Sequence, residues 1–411
     1  MGTPNLSIDL DRLMGRIEAL AEIGAIEGGG CCRLALSDED RQARDLVVGW
    51  MSDLGLVITT DGIGNVVGVR AGSTDGPPVM TGSHIDTVRT GGRYDGCLGV
   101  VAGLEVLETL NDAGIRTRRS VAVAFFTNEE GVRFAPDMMG SAVHQNSLAL
   151  DDALSVTGID GATVGEELDR IGYRGTAPTG ASRANCFVEL HVEQGPVLDD
   201  EGVTIGVVEG VQGISWTEFT IGGVSNHAGT TPMRLRHDAG VVAARISVEA
   251  RGIAADMGGD QVATVGRFEC APNLVNVVPN RALMTVDLRN TDEDKLRAAE
   301  ERLFGFADRA AAEERVSLER RSLARFEPVA FDPSMIDLVE RTADAHGHSS
   351  RRMPSGAGHD AQMFAPNCPT AMIFVPSRNG ISHNIEEFTE PEDLGAGANV
   401  LLHVLLERAE G

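Results

Sequence analysis

Five short stretches bring imidazole and carboxylate side chains to places where the chain turns. They are Ser83-His84-Ile85-Asp86, Tyr94-Asp95-Gly96, Asn128-Glu129-Glu130-Gly131, His191-Val192-Glu193-Gln194-Gly195 and Gly380-Ile381-Ser382-His383. A single histidine at a strand end is usually structural. Five such stretches in one chain, with glycines that let backbones approach, point to a cation centre. Imidazole plus carboxylate suits Zn²⁺, Mn²⁺, Co²⁺ or Ni²⁺, and the lack of thiolates in the set leaves the metal open. Two ions roughly 3.5–4 Å apart need a bridging carboxylate, for which Asp95 is the natural candidate. Asp86, two residues after His84, is placed to accept the second ring N–H and fix its tautomer. Glu129 and Glu130 are neighbours, so in extended chain they point opposite ways. One can bind a cation while the other faces substrate as a general base. A surface acidic pair is the plain alternative, disfavoured by the apolar run before it and Gly131 after it.

These side chains need a scaffold. Val121–Phe126 is an unbroken apolar run, as in a strand buried on both faces. Pro78–Thr81 and Phe187–Leu190 are short strands that run into His84 and His191. Leu56–Thr59 and Val66–Val69 flank a turn-rich loop and form a hairpin. Ser37 caps a helix that carries Leu46, Val47, Trp50 and Met51 and stops at Gly55. A second helix spans Leu98 to Leu110. Strands alternating with helices, with polar residues collected at strand ends, describe an α/β sheet whose site lies beyond the carboxyl ends of its strands.

From Ile214 to Arg325 the order changes to strand, helix, strand, strand, helix, strand, the ferredoxin-like signature. The polar motifs resume after it. The expected organisation is therefore a domain of residues 1–213 and 326–411 with an insert of residues 214–325.

The 411 residues include 35 Lys plus Arg and 61 Asp plus Glu, a net charge of −26. That balance disfavours nucleic acid and anionic membrane surfaces as partners. A hydrophobic fraction of 42% describes an ordinary folded protein. Lys295 is the only lysine. Coding bias is the favoured reading of that fact, and adaptation to high salt is the other. No apolar stretch reaches membrane-helix length, and Met1–Asp11 has no signal-peptide pattern. Cys31, Cys32, Cys97, Cys186, Cys270 and Cys368 have no C-x-x-C spacing, so they read as the reduced thiols of a cytoplasmic protein.

The motifs resemble those of the M20 metallopeptidase family, in its zinc-dependent amidase/hydantoinase/carbamoylase branch. They include Gly82–Val88, Gly91–Gly96, Thr127–Phe134, His191–Pro196, Ser225–Met233, Pro354–Ala361 and Gly380–His383, and they span nearly the whole chain. The resemblance implies an α/β fold: a catalytic domain with a mixed sheet flanked by helices, plus an inserted ferredoxin-like α+β lid and dimerisation domain. It implies two divalent ions per chain, Zn²⁺ first and Mn²⁺, Co²⁺ or Ni²⁺ otherwise. His84, Asp95, Glu130, His191 and His383 are the implied ligands, with Asp95 bridging and Glu129 the catalytic base. His227 is implied at the reacting carbonyl, across a homodimer. Gln194, Asn276, Arg289 and Gly358 are implied around the substrate. Plainer roles stand beside these: His227 as a solvated loop residue, Arg289 as a strand-end charge, Asn276 as a turn cap. The implied reaction is hydrolysis of the carbamoyl group of an N-carbamoyl-L-amino acid, a small ureido substrate with a carboxylate. Allantoate or another ureide, and acylated amino acids or dipeptides, are the alternative substrates. A homologue that binds metal without catalysis is the rival of a different class.

Overall fold

A computed structural model describes residues 6–180 and 183–411. The chain divides into two compact units. One comprises the chain up to Gly210 together with Ala330–Gly411, and the other is Val211–Val329.

Among the described residues, the first unit holds a nine-stranded mixed sheet. Its centre is four parallel strands in the order Val121–Phe126, Val79–His84, Cys186–Val192 and Thr370–Val375. Every residue of these four strands is buried. Such strands can be apolar on both faces because helices cover each side. The Val57–Thr60/Val66–Arg70 hairpin extends one side antiparallel. Ile205–Val211 joins antiparallel on the other.

Two largely buried helices, Cys97–Asp112 and Pro391–Glu410, pack on the central strands. The Asp38–Asp53 helix begins where expected, with the Ser37 hydroxyl accepting from Asp40 N at 3.2 Å. The strand expected at Pro78–Thr81 runs to His84, which is its last residue. The Phe187–Leu190 strand extends through Val192 and contains His191. Both histidines are thus held by ladder hydrogen bonds rather than by loops.

The second unit is a four-stranded antiparallel sheet in the order Ser317–Phe326, Gly213–Gly222, Arg281–Asn290, Val262–Ala271. In chain order these are its fourth, first, third and second strands, the ferredoxin-like arrangement. Helices Ala239–Met257 and Glu293–Glu314 bury one face of it over Phe219, Ile221, Ile246, Met284, Val286 and Leu303.

Candidate metal centre

The carboxyl ends of the four parallel strands deliver the polar residues to one place. His84 ends one strand, Glu129 and Glu130 follow a second, His191 and Gln194 come from a third, and His383 follows the fourth. Asp95 lies in the turn just before the Cys97–Asp112 helix. Asn128, Gln194 and His383 all have left-handed backbones, with φ of 58°, 58° and 52°. Such conformations cost about 1–3 kcal/mol each and persist where the surroundings impose them. At Asn128 the side-chain amide does so, donating to Phe134 O at 2.7 Å and Pro136 O at 3.1 Å.

Asp95 is the hub. Its Oδ1 lies 3.5 Å from His84 Nε2 and 3.2 Å from His191 Nε2. Its Oδ2 lies 3.2 Å from His383 Nε2, which is 3.5 Å from Glu130 Oε2. Two ligand groups share Asp95, His84/Asp95/His191 and Asp95/Glu130/His383. Ligand bonds near 2.0–2.1 Å in tetrahedral array separate donor atoms by about 3.4 Å, so both groups fit a divalent ion. The tautomers fit as well. His84 Nδ1–H donates to Asp86 O and His191 Nδ1–H to Val192 O, both at 2.9 Å. Each Nε2 then carries a lone pair, which at His191 accepts from Gly96 N at 3.0 Å and would turn to a cation on binding. Glu129 Oε2 is 3.4 Å from His84 Nε2 and belongs to neither group, which leaves it available as a base. Together with Gln194, Asp137, Gly358 and His359, these residues line a cavity of about 130 Å³.

The electrostatics favour bound cations. Burial, reinforced by the other acids, raises Glu129 well above the usual carboxylate range. Burial and Asp95 push Glu130 up to about 8. The hydrogen bond to Asp95, against some burial, raises His383 to about 9. Burial works against an Asp95 charge, yet bonds from His191, His383 and His84 hold its pKa well below normal. Without ions the centre therefore holds protons where cations would sit.

One expectation is corrected. The Asp86 carboxylate does not hold the His84 ring; its Oδ1 is 3.9 Å from Nδ1, and the backbone carbonyl of Asp86 takes that proton instead. The carboxylate is left to accept from Glu129 N at 3.2 Å and Glu130 N at 3.3 Å. Asp86 thus holds the backbone of the two glutamates.

Gln194 lies in the cavity, donating from Nε2 to Asp95 Oδ2 at 2.8 Å. Gly358 lines the wall, where a Cβ would press on Met138. His227, Asn276 and Arg289 belong to the second unit. His227 Nδ1 accepts from Gly229 N at 3.1 Å, so its exposed ring presents Nε2–H as a donor. Asn276 O accepts from Ala228 N at 2.9 Å, which joins its turn to the His227 loop. Arg289 is paired with Asp287 at 2.9 Å and lies over Trp216. A substrate carboxylate would have to share that guanidinium.

Several supports escaped the sequence reading. Glu387 accepts from the backbone N–H of Tyr94 (3.1 Å) and Asp95 (3.2 Å) and from Ser382 Oγ (3.0 Å), tying the Asp95 turn to the His383 loop. Burial pushes its pKa to about 7. Glu189 accepts from Ser83 Oγ at 2.6 Å and Ala361 N at 2.8 Å. Its place two residues before His191 on a strand, hence on the same face, was a legible signal. Buried Arg44 binds Asp40 at 2.9 Å, Gly64 O at 2.7 Å and Thr127 Oγ1 at 3.2 Å, bracing the segment before Glu129. The signal there was a charged pair at i, i+4 on the stripe that carries Ala43, Val47 and Met51.

This centre on this sheet is that of a metal-dependent hydrolase, and the chain belongs to peptidase family M20/M25/M40, whose model matches residues 80–407. Within the family it is similar to an N-carbamoyl-L-amino-acid amidohydrolase of Rhizobium meliloti, at 39% identity over 99% of this chain and 98% of that one. An N-carbamoyl-L-amino acid amidohydrolase of Geobacillus stearothermophilus is 37% identical over 98% of this chain and 99% of that one. A crystal structure of an amidase of the hydantoinase/carbamoylase family from Burkholderia multivorans superposes with a TM-score of 0.97 at 45% identity. It covers 99% of this chain and 100% of that one.

Proposed function

We propose that the chain is an amidohydrolase that cleaves the carbamoyl C–N bond of an N-carbamoyl-L-amino acid or close analogue, giving the amino acid, CO₂ and ammonia. The observation that carries this reading is Asp95 shared by two His/carboxylate groups, with Glu129 beside them in the same cavity. The names of the full-length relatives support the substrate class.

His84, Asp95 and His191 would hold one divalent ion, and Asp95, Glu130 and His383 a second. Zn²⁺ is the first candidate, with Mn²⁺, Co²⁺ and Ni²⁺ as alternatives. When bound, such ions make water a nucleophile near neutral pH and polarise the carbonyl under attack. Glu129 takes the proton from the attacking water and returns it to the departing nitrogen, a role its burial suits. His227, a donor at Nε2, is proposed to stabilise the oxyanion. Gln194, Asn276, Arg289 and Gly358 are proposed to read the substrate. Homodimerisation through the inserted unit is also proposed; exposed Phe268, Leu323 and Phe326 on its sheet support it.

Two measurements test the reading. Glu129→Gln should retain two ions per chain while turnover falls about 10²–10⁴-fold. Wild-type activity in that variant removes the base. Ammonia release should be fastest from N-carbamoyl-L-amino acids in a panel that includes allantoate, with amino-acid release read for N-acyl amino acids and dipeptides, at equal metal loading. Faster turnover of an acylated amino acid or dipeptide overturns the substrate class. Two ions per purified chain with no turnover of any substrate in the panel would restore the non-catalytic alternative.

A further inference from the structure

Arg33 is 1% exposed, and among the described residues no carboxylate lies within ion-pair distance of it. A buried guanidinium without a counter-charge is costly unless every N–H finds an acceptor. Here the acceptors are carbonyls and thiols. Nε donates to Ile85 O at 2.6 Å, and Nη1 to Leu20 O at 3.0 Å and Ile23 O at 2.6 Å. Nη1 also reaches Cys31 Sγ at 3.2 Å, and Nη2 reaches Cys97 Sγ at 3.1 Å. The backbone is pinned to the same region: Arg33 N donates to Thr87 Oγ1 at 2.7 Å, and Arg33 O accepts from Thr87 N at 2.8 Å. Cys31 and Gly91 exchange backbone bonds at 2.9 and 3.0 Å.

Two of these acceptors are informative by position. Ile85 directly follows His84, and Cys97 is two residues beyond Asp95. One rigid planar fork therefore spans the segments that carry both ligands, whose Nε2 and Oδ1 stand 3.5 Å apart. The other end of Asp95 is tied independently, through Glu387 to Ser382 and the His383 loop.

We propose that Arg33, acting through the Cys97 thiol, is a positioning residue that sets the His84–Asp95 separation and so governs ion binding at His84/Asp95/His191 rather than at Asp95/Glu130/His383. The proposal rests on the two-ion reading above. It gives Cys97 a specific task, as a large soft acceptor in a space closed on all sides. Lysine at 33 keeps the charge but not the fork. Alanine at 97 removes only the Nη2 acceptor, and serine restores an acceptor there.

The test is titration of the metal-free protein with Co²⁺, followed by calorimetry and visible absorption, on wild type, Arg33→Lys, Cys97→Ala and Cys97→Ser. Arg33→Lys should weaken the binding step at His84/Asp95/His191, identified as the one that His191→Ala removes, by about 10–100-fold and leave the other within about twofold, the range seen when groups behind a ligand are removed; weakening of the other step instead overturns the proposal. Cys97→Ala should weaken the same step less, and Cys97→Ser should restore most of it. Wild-type affinities at both steps in Arg33→Lys and Cys97→Ala overturn the proposal. Equal weakening of both steps also overturns it, by assigning Arg33 to the fold alone. If Arg33→Lys does not fold, the Cys97 pair decides. A wild-type protein that takes up no Co²⁺ refutes the two-ion reading itself, an outcome distinct from a failure of Arg33.

Discussion

Replacing Asp86 by Asn probes the corrected part of the site. Asp86 is 2% exposed, and its two oxygens serve one backbone N–H each, those of Glu129 and Glu130. Asparagine keeps one acceptor and turns an NH₂ towards the other amide. One buried N–H then loses its partner, which costs about 1–3 kcal/mol. That energy holds the base and a ligand in place, so its loss has two readouts. The urea midpoint should fall in proportion, and kcat should drop roughly 5- to 150-fold if the same energy is lost from the transition state. The bond from His84 Nδ1–H to the Asp86 carbonyl survives the substitution, so ion binding through His84 should change little. Urea unfolding, steady-state kinetics at saturating metal, and a metal titration check the three parts. Unchanged kcat with an unchanged midpoint would refute the reasoning. Selective loss of the ion at His84/Asp95/His191, with kcat intact at saturating metal, would return the carboxylate to His84.

Gly96→Ala should abolish ion binding at His84, because Gly96 has φ of 64° and an added Cβ would overlap the fully buried His84 ring; wild-type metal content would show that the ring has room to move. Ion binding should release protons at pH 7 and tighten as pH rises. Glu130 near 8 and His383 near 9 are protonated below those values and must lose the proton to ligate; calorimetry in buffers of different ionisation enthalpy measures the release, and its absence refutes the protonated centre. Chelation should lower the melting temperature. Ions at about 1,000 times their dissociation constant stabilise by about 4 kcal/mol, which for a domain of this size is on the order of 10 °C. Arg289→Lys should raise KM with kcat nearly unchanged if the planar fork reads a substrate carboxylate; no change in KM would remove Arg289 from substrate recognition.

Much of this molecule follows from one-dimensional pattern. Val121–Phe126 is a central strand because six consecutive apolar residues need cover on both faces, and Ser37 starts a helix through its own hydroxyl. The ferredoxin-like unit was legible as an order of elements because each strand and helix there carries its own period. That His84, Asp95, Glu130, His191 and His383 would gather beyond the strands was legible because glycines and turn residues mark the points where strands end.

What the tertiary structure decided is partnership. No local pattern states that Val79–His84 lies between Val121–Phe126 and Cys186–Val192, since strand order depends on contacts between residues far apart in the chain. For the same reason Asp86 was placed on the wrong group: sequence proximity suggested the neighbouring imidazole, whereas the fold brings the Glu129 and Glu130 amides to it across 43 and 44 residues. Arg33 and Glu387 look like surface charges in the sequence. They are buried because their partners are carbonyls, thiols and amides supplied by distant segments, and a charge is tolerated inside only where a fold collects enough such groups around it.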